Sequence, residues 1–376
     1  MKPKLKVLVV GNATIDAYPR AIRHNIEGSV VHIHDSVEGR KLEIICEEEL
    51  RKGGKHFARE HLFFQLQGVL CSEKFGGGGL NSVRELSKIV DWELSYLDMS
   101  TPSLDTREPG RTIAGYLSSM HITPIFLSTR PVPLNLVLGT RDDKVIIKSP
   151  LQEQVGVWTP ENNDLKKIIG FIINHIGYDA ILFNSIKDEG LAEYIIESEP
   201  QKMAVITRSL EPEFVLSRVL PECLCQFNYD EFGYIIYNEV IGDEEERFEA
   251  AIEGIQQLRS KHKLEYPVFV TLGKNGTLVA DRHQTYHIRL NTNKYYEVQE
   301  FIRKNSTDLT GAGDVFAAHV FKAWLLGYGL LYTAVMSSMG AIKHLGYHDL
   351  KPSDFWVGVA TSQKPSKYWV YGSENI

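Results

Sequence analysis

The chain has few cysteines for its 376 residues, and it has no excess of positive charge. A disulfide scaffold of this length would need more than the four that are present, so we expect a reducing compartment, the cytoplasm. Lys and Arg number 41 against 48 Asp and Glu, a net charge of −7. Nucleic acid is therefore not expected as a partner, because surfaces that bind polyanions usually carry a basic excess.

Long hydrophobic runs are also nearly lacking. Residues 323–342 carry no charge and are long enough on paper to cross a bilayer. Gly327 and Gly329 interrupt this segment, so it predicts two buried helices that meet at Gly-Tyr-Gly, and no membrane partner is expected.

What the sequence does contain is a regular alternation of helix and strand patterns after Pro150. Such repeats predict a doubly wound, mainly parallel sheet with helices on both faces. Shorter alternating segments nearer the N-terminus, such as SVVHIH and KLEIIC, predict a β-rich part. Helices are expected from the late Gly-rich turn to about Thr361.

Ligands of such sheets bind beyond the carboxyl ends of the strands, which draws attention to the loops there. The sharpest signal is DLTGAGD at residues 308–314, followed by an apolar helix. Small residues at a helix N-terminus let backbone amides approach a phosphoryl group, and Asp314 could take the proton of an attacking hydroxyl. From this string alone, Asp314 could equally be a first-turn residue that stabilises its helix by about 1 kcal/mol.

The motifs GNATID, GGGGLN, NYDE and TDLTGAGD occur in an order that resembles the ribokinase-like (PfkB) carbohydrate kinases. The resemblance runs from about residue 7 to residue 361, and TDLTGAGD is its most specific part. It implies an α/β body of doubly wound, mainly parallel sheet flanked by helices, with a small β-rich lid. It also implies transfer of the γ-phosphoryl group of ATP to a hydroxyl of a sugar, a sugar phosphate or a nucleoside.

The resemblance also implies roles for single residues. Asp314 would be the catalytic base, and the amides of Gly311, Ala312 and Gly313 would form an anion hole. The implied substrate-binding residues are Asp16, Asn12, Gly77, Gly78 and Asn81. Asp16 follows the first strand in this interpretation. Asp16 as a turn residue and Asn81 as a helix-start residue are the alternatives.

On the nucleotide side, the implied residues are Asn228, Thr271, Gly273 and Gly276. Glu231 would act on Mg²⁺ through water, and Asp308 and Thr310 are candidate ligands of K⁺. A helix start at residues 228–231 and a hairpin at residues 271–276 are the structural alternatives.

Departures from the family pattern concern the substrate. Gly78 stands where many sugar-specific members carry Lys, and GGGGLN followed by Arg84 resembles the phosphofructokinase-like branch. Arg130 or Arg141 could bind a substrate phosphate bidentately, although each could instead be a solvated strand residue.

We expect the body to comprise residues 1–16, 76–105 and 150–361, and the lid residues 17–75 and 106–149. Residues 362–376 are expected to form a surface tail. The segment 17–75 is long for a simple lid, so it could be a larger lid, an oligomer contact or a substrate wall.

These observations predict a cytoplasmic, ATP-dependent sugar kinase, with a homodimer that pairs through the lid. The alternatives are a sugar-phosphate or nucleoside kinase of the same family, and a non-catalytic sugar- or nucleotide-binding regulator on the same scaffold.

Overall fold

The structure is a computed structural model, and it describes most of the chain. The described residues are 4–19, 22–27, 30–35, 41–45, 56–58, 71–98, 113–126, 134–139, 144–148, 163–184, 189–197, 203–206, 210–238, 244–262, 264–305, 310–360 and 368–372.

The described strands are β1 (Lys6–Gly11), β2 (Thr14–Pro19), β3 (Ile22–Glu27), β4 (Val30–Asp35), β5 (Lys41–Ile45), β6 (His56–Ala58), β7 (Cys71–Gly76), β8 (Glu93–Asp98), β9 (Thr123–Phe126), β10 (Leu134–Gly139), β11 (Lys144–Lys148), β12 (Ala180–Asn184), β13 (Met203–Ile206), β14 (Leu224–Asn228), β15 (Val268–Thr271), β16 (Thr277–Ala280), β17 (Thr285–Leu290), β18 (Phe355–Val359) and β19 (Trp369–Val370).

The described helices are α1 (Gly78–Ile89), α2 (Ile113–Ser119), α3 (Asn163–Ile176), α4 (Glu189–Glu197), α5 (Pro212–Phe214), α6 (Tyr229–Tyr237), α7 (Glu244–Lys261), α8 (Thr292–Asn305), α9 (Ala312–Leu325) and α10 (Leu330–His344). A π-helical turn (Val215–Val219) continues α5, and 3₁₀ turns occupy Gly273–Asn275 and Pro352–Asp354.

The largest sheet runs in the order β19-β18-β17-β16-β15-β14-β13-β12-β1-β8-β9. Strands from β9 to β15 are parallel to their neighbours, and those from β15 to β19 are antiparallel. The prediction of a doubly wound, mainly parallel sheet is therefore confirmed. The carboxyl ends of the parallel strands meet at one edge, where ligands of such folds bind.

Each face of this sheet is covered by its own hydrophobic core. Side chains alternate along β1, so that Val7 and Val9 join one core while Leu8 and Val10 join the other. Helices α1, α9 and α10 pack on the first face. Helices α3, α4, α6 and α7 pack on the second face. A strand buried on both faces must be apolar throughout, which explains the continuous run at residues 7–10.

Two further sheets come from the β-rich segments of the sequence. One has the order β6-β11-β10-β2-β7, and the other the order β3-β4-β5. The expected lid boundaries differ from the structure at residues 113–126, because β9 pairs with β8 in the main sheet. Ile113 and Leu117 of α2 are buried in the main core, which places this segment with the body.

The C-terminal part also differs from the expectation of helices followed by a surface tail. Residues 355–359 form β18, in which Phe355 and Val357 alternate into the core, and β19 pairs with it. The predicted pair of helices within residues 323–342 is confirmed, because α9 and α10 meet at a turn that contains Gly327 with φ of 74°. Across the described ranges, every helix is too short or too polar to cross a membrane.

We expect Gly79→Ala to destabilise the fold. A methyl group at Gly79 would lie 2.7 Å from Cα of Gly11 and 3.0 Å from Cε2 of Tyr96, and the backbone of β1 cannot yield. The free energy of unfolding, measured with denaturant, should fall by about 1–3 kcal/mol, which is the usual cost of overpacking.

Gly329→Ala is the matched control, since Gly329 has φ of −64° and open space around it. An equal loss of stability in the two variants would contradict the packing explanation.

Candidate functional site

Close backbone contacts bring three distant segments together at the carboxyl edge of the main sheet. β1 ends at Gly11 beside Asn184, the last residue of β12, and α1 begins next to both. A methyl group at Gly11 would overlap the carbonyl oxygen of Asn184 and lie 2.7 Å from Cα of Gly79. Glycine is required here so that the start of α1 can touch the strand ends.

The Gly-rich turn at residues 310–313 leads into α9 at the same edge. Gly311 is the N-cap residue with φ of 84°, a left-handed conformation that favours glycine. The first amides of a helix have no acceptor within that helix, and the N-terminus favours a bound anion. Ala312 and Gly313 are only partly buried. The geometry therefore suits the anion hole that the sequence predicts, and the role itself stays a prediction.

Asp314 is the buried acid of this turn, with an exposure of 3 %. Its Oδ2 accepts a hydrogen bond of 2.9 Å from Nδ2 of Asn81, and its Oδ1 accepts one of 3.1 Å from Nδ2 of Asn184. An ionised carboxylate oxygen can accept more than one hydrogen bond. These amide contacts therefore orient Asp314 and are compatible with a hydroxyl donor beside it.

Asn184 and Ser82 were missed at the level of sequence. Asn184 is fully buried, and its Nδ2 also lies 2.8 Å from the carbonyl oxygen of Gly78 and 2.9 Å from Oγ of Ser82. The two hydrogens of this amide nitrogen are therefore shared among three acceptors, Asp314 included. Ser82 in turn donates to the carbonyl oxygen of Asp314 at 3.2 Å. The available signal was a polar residue that ends the otherwise apolar strand AILFN.

We expected Asp16 to follow the first strand directly. It lies instead within β2, opposite Lys74 of β7. The chain leaves β1 and enters the second sheet almost at once, which carries Asp16 into that sheet. Oγ1 of Thr14 donates to Oδ1 of Asp16 at 2.9 Å. A methyl group at Gly76 would overlap the Asp16 carboxylate, so Gly76 makes room for it.

The first turn of α1 joins the Asp16 region to Asp314. Gly77 has φ of 99°, and a methyl group there would overlap the carbonyl oxygen of Asn12. The amide of Asn81 donates to the carbonyl oxygen of Gly77 at 2.9 Å, while its side chain binds Asp314. The structure thus brings together most of the residues predicted to bind substrate, namely Asp16, Asn12, Gly77, Gly78 and Asn81.

The glycines at positions 77 and 78 also join segments of the chain. The carbonyl oxygen of Gly78 accepts from Asn184, and Gly77 packs on Asn12. Their contact with a substrate stays a prediction.

Asn228 and Glu231 form a capping box at the start of α6, the structural alternative raised by the sequence. Oδ1 of Asn228 accepts from the amide of Glu231 at 2.8 Å, and Oε2 of Glu231 accepts from the amide of Asn228 at 2.8 Å. Asn228 pairs with Thr271 in register, so both lie at the same edge of the main sheet. Their nucleotide and Mg²⁺ roles stay predictions.

Residues 271–276 connect β15 and β16, which are antiparallel, so the hairpin alternative describes this loop. Gly276 has φ of 90°, and a methyl group there would overlap the carbonyl oxygen of Ile288. Gly273 has φ of 58° with open space around it. Its backbone is therefore accessible, as a loop that contacts phosphates requires.

His287, another residue that the sequence did not single out, supports this loop from β17. Its Nε2 lies 2.6 Å from the carbonyl oxygen of Asn275, and its Nδ1 lies 2.8 Å from Oη of Tyr368. Burial lowers the pKa of His287 to about 4, although the Asn275 contact opposes the shift. The ring is neutral at pH 7. Because a carbonyl only accepts, Nε2 carries the proton and Nδ1 accepts from Tyr368.

Three predicted residues lie outside the described residues: Arg130, Arg141 and Asp308. Thr310 is described, and its carbonyl oxygen lies 3.1 Å from Nε2 of His344. Within the ranges that the structure covers, no cluster of three or more His, Cys, Asp or Glu side chains could hold a metal ion.

Glu85 of α1 and His319 of α9 form a second link between the helices that carry Asn81 and Asp314. Nε2 of His319 lies 3.3 Å from Oε1 of Glu85, and Gly340 of α10 leaves room for the ring. Burial alone raises the pKa of Glu85, but the hydrogen bond from His319 and the charge of Lys88 bring it down to about 2.

Comparison with known proteins identifies similar sequences and structures. The model of the pfkB family of carbohydrate kinases matches residues 237–336, which include the Gly-rich turn and Asp314. The similarity to the pfkB family is confirmed. Among curated proteins, none matches the chain significantly.

Solved structures of several kinases share the fold. A ribokinase from Cryptococcus neoformans var. grubii serotype A in complex with ADP is 14 % identical, with a TM-score of 0.61 over 91 % of this chain and 93 % of that one. An adenosine kinase from Sinorhizobium meliloti is 15 % identical, with a TM-score of 0.57 over 92 % and 94 %. Phosphofructokinase-2 from Escherichia coli in complex with fructose-6-phosphate is 12 % identical, with a TM-score of 0.56 over 91 % and 93 %. These structural similarities show that the chain has a ribokinase-like fold.

We expect Asn184→Ala to lower the free energy of unfolding by about 1–3 kcal/mol, because buried acceptors on Gly78 and Asp314 lose their donor. Denaturant titration measures the loss. Asn184→Leu is the matched variant, since it keeps most of the volume without a donor. If leucine restores the stability, the loss came from a cavity and not from the hydrogen bonds.

The Glu85–His319 pair predicts a pH dependence of stability. The folded-state pKa of about 2 lies below the ordinary value of 4.5, so the charged carboxylate stabilises the fold above pH 4.5. The difference in unfolding free energy between the wild type and Glu85→Gln should therefore shrink as the pH falls from 4.5 towards 2. Glu249→Gln, at an exposed position, should show no such trend.

Proposed function

We propose that the chain is an ATP-dependent kinase that transfers the γ-phosphoryl group to a hydroxyl of a carbohydrate. The observation that carries this proposal is the position of Asp314. It lies in the first turn of α9, next to the Gly-rich turn, and amides of Asn81 and Asn184 orient its carboxylate. The match to the pfkB carbohydrate kinase family supports a phosphotransferase.

In the proposed reaction, Asp314 accepts the proton of the acceptor hydroxyl as its oxygen attacks the γ-phosphorus. The bond between that phosphorus and the bridging oxygen breaks, and ADP leaves with the electron pair. Negative charge on the transferred group is stabilised by the amides of Gly311, Ala312 and Gly313 and by the positive end of the α9 dipole. Burial of Asp314 helps to exclude water, which would compete as an acceptor.

A sugar hydroxyl is the proposed acceptor because of the carboxylate of Asp16. It lies beside Gly76, at the entrance to the same glycine turn that leads to Asn81. An ionised carboxylate is an acceptor for two hydroxyls, as a vicinal diol presents them. Asn12 lies against this turn through its carbonyl oxygen.

A sugar phosphate is the second candidate acceptor. Phosphofructokinase-2 is among the similar structures, and Arg84 follows the GGGGLN motif as in that branch. However, Nη2 of Arg84 donates to Oδ1 of Asn81 at 2.9 Å, so in this structure Arg84 supports the amide that binds Asp314. A panel of acceptors that includes sugars, sugar phosphates and nucleosides separates these substrates.

ATP is proposed to bind along loop 271–276, where Gly273 exposes its backbone at the end of β15. The ribokinase in complex with ADP supports a nucleotide in this fold. The donor set fits hydrated Mg²⁺, because Glu231 brings a carboxylate to the start of α6, at the edge where phosphates would lie, and Mg²⁺ prefers oxygen ligands. When bound, Mg²⁺ supplies positive charge to the phosphates.

We expect Asp314→Asn to lower turnover by ~10²–10⁴, the usual effect of losing a general base, with little change in nucleotide affinity. ADP release with the acceptor panel measures turnover, and calorimetry measures ADP binding. Asp91→Asn is the control, since it makes the same charge change at a carboxylate whose side chain is 88 % exposed. Near-normal turnover of Asp314→Asn would contradict the proposed base.

A further inference from the structure

Hydrogen bonds between backbone groups hold the loop at residues 271–276 together. The amide of Leu272 donates to the carbonyl oxygen of Gly276 at 2.8 Å, and the amide of Asn275 donates to that of Leu272 at 3.1 Å. The amide of Gly276 donates to the carbonyl oxygen of Gly273 at 3.1 Å. The conformation of Gly273, which is exposed, therefore depends on the direction of the Gly276 amide.

The Gly276 amide belongs to a rigid unit that His287 holds from outside the loop. The carbonyl of Asn275 and the amide of Gly276 form one planar peptide group, so they turn together. Nε2 of His287 donates to the carbonyl oxygen of Asn275 at 2.6 Å. A chain of hydrogen bonds thus runs from His287 through this peptide group to Gly273.

Donation by His287 depends on which ring nitrogen carries the proton. In a neutral imidazole one nitrogen donates and the other accepts, and the partner of one nitrogen selects the state of the other. The hydroxyl of Tyr368 lies 2.8 Å from Nδ1. Burial raises the pKa of Tyr368, so the hydroxyl keeps its proton at pH 7. A hydroxyl that donates to Nδ1 leaves the imidazole proton on Nε2, which faces the loop.

Aromatic and cationic neighbours hold both rings in place. Arg289, two residues beyond His287 in β17, places its guanidinium carbon 4.3 Å from the centre of the Tyr368 ring. The ring of Trp356 in β18 lies 6.3 Å from that of Tyr368. The ring of Phe248 in α7 lies 4.6 Å from that of His287. Packing from separate elements therefore keeps the hydroxyl and the imidazole in contact.

We propose that Tyr368 and His287 set the affinity of the protein for nucleotide. The hydroxyl selects the tautomer of His287, and the imidazole N–H holds loop 271–276 in the conformation that binds the phosphates of ATP. Both are positioning residues, since they act through the loop. This inference rests on the proposed function, because it assigns the support of the proposed nucleotide loop.

The first test removes single groups from this chain of contacts and measures ADP affinity by calorimetry. Tyr368→Phe removes only the hydroxyl and should weaken ADP binding by about 2–10-fold, as the loss of one hydrogen bond predicts. His287→Leu leaves the Asn275 oxygen without its donor and should weaken ADP binding by about 5–100-fold. His287→Gln, which keeps an N–H donor, should recover most of this loss.

Tyr371→Phe is the matched control. It removes the same atom from the same segment, at a ring that packs against the core covered by α1, α9 and α10. ADP affinity should therefore stay at the wild-type value. Equal ADP affinity of the wild type and Tyr368→Phe would overturn the proposal. So would equal losses in Tyr368→Phe and Tyr371→Phe.

Kinetics separate this positioning role from a general loss of structure. In Tyr368→Phe, KM for ATP should rise together with the dissociation constant of ADP. Turnover at saturating ATP and KM for the acceptor should stay within about twofold of the wild type, because the residues around Asp314 are unchanged. A fall in turnover at unchanged ADP affinity would contradict the proposal.

A second measurement needs neither nucleotide nor activity. Nitrogen NMR of protein labelled at its histidine rings distinguishes protonated from unprotonated nitrogens, and His287→Gln identifies the signals of His287. In the wild type at pH 7, Nε2 should be protonated and Nδ1 should not. A protonated Nδ1 would overturn the proposal.

Failure of this inference can be told apart from failure of the proposed function. If the wild type binds ADP but transfers no phosphoryl group to any acceptor, the proposed function fails and the ADP affinities still decide the inference. If the wild type transfers the group and the variants bind ADP as it does, only the inference fails. A wild type that does not bind ADP would overturn both.

Discussion

The site depends on two hydrogen bonds that end on one buried carboxylate. Asn81 and Asn184 reach Asp314 across separations of 233 and 130 residues, so these two contacts fix the relative positions of α1, β12 and α9. Unsatisfied polar groups are costly in a buried position, and the three side chains satisfy one another. The cluster therefore specifies a single arrangement of elements that hydrophobic packing alone would leave less defined.

Such a cluster can form only where backbones touch. Gly11 and Gly79 allow β1 and α1 to touch, and Gly77 allows the chain before α1 to lie against Asn12. The apolar faces of β1 and α1 stabilise this contact, because residues such as Val9 and Leu80 share one buried core. Glycine-rich motifs in this protein thus act first on the fold, by bringing Asn81, Asn184 and Asp314 together.

Features that are local or periodic could be predicted from the sequence. The αβ repeats predicted the parallel sheet, and TGAGD predicted a helix N-terminus with an acid in its first turn. The sequence did not predict a residue's role where that role depends on a partner distant in the chain. Asn184 ends an apolar strand, and no residue near it in the sequence indicates that its side chain contacts Asp314. β18 was missed because it joins the main sheet through β17, which is distant in the sequence. The capping box at Asn228 is local, and this alternative was foreseen.

The way in which loop 271–276 is supported has a consequence for how the protein is made. Tyr368 lies 81 residues beyond His287, yet its hydroxyl completes the hydrogen-bond chain to Asn275. Chains fold as they emerge during synthesis, N-terminal parts first. Loop 271–276 therefore emerges from the ribosome well before its brace does. A nascent chain that ends before residue 368 contains every glycine of that loop. It lacks the Tyr368 hydroxyl, which donates to His287 and so holds the ring that supports the loop.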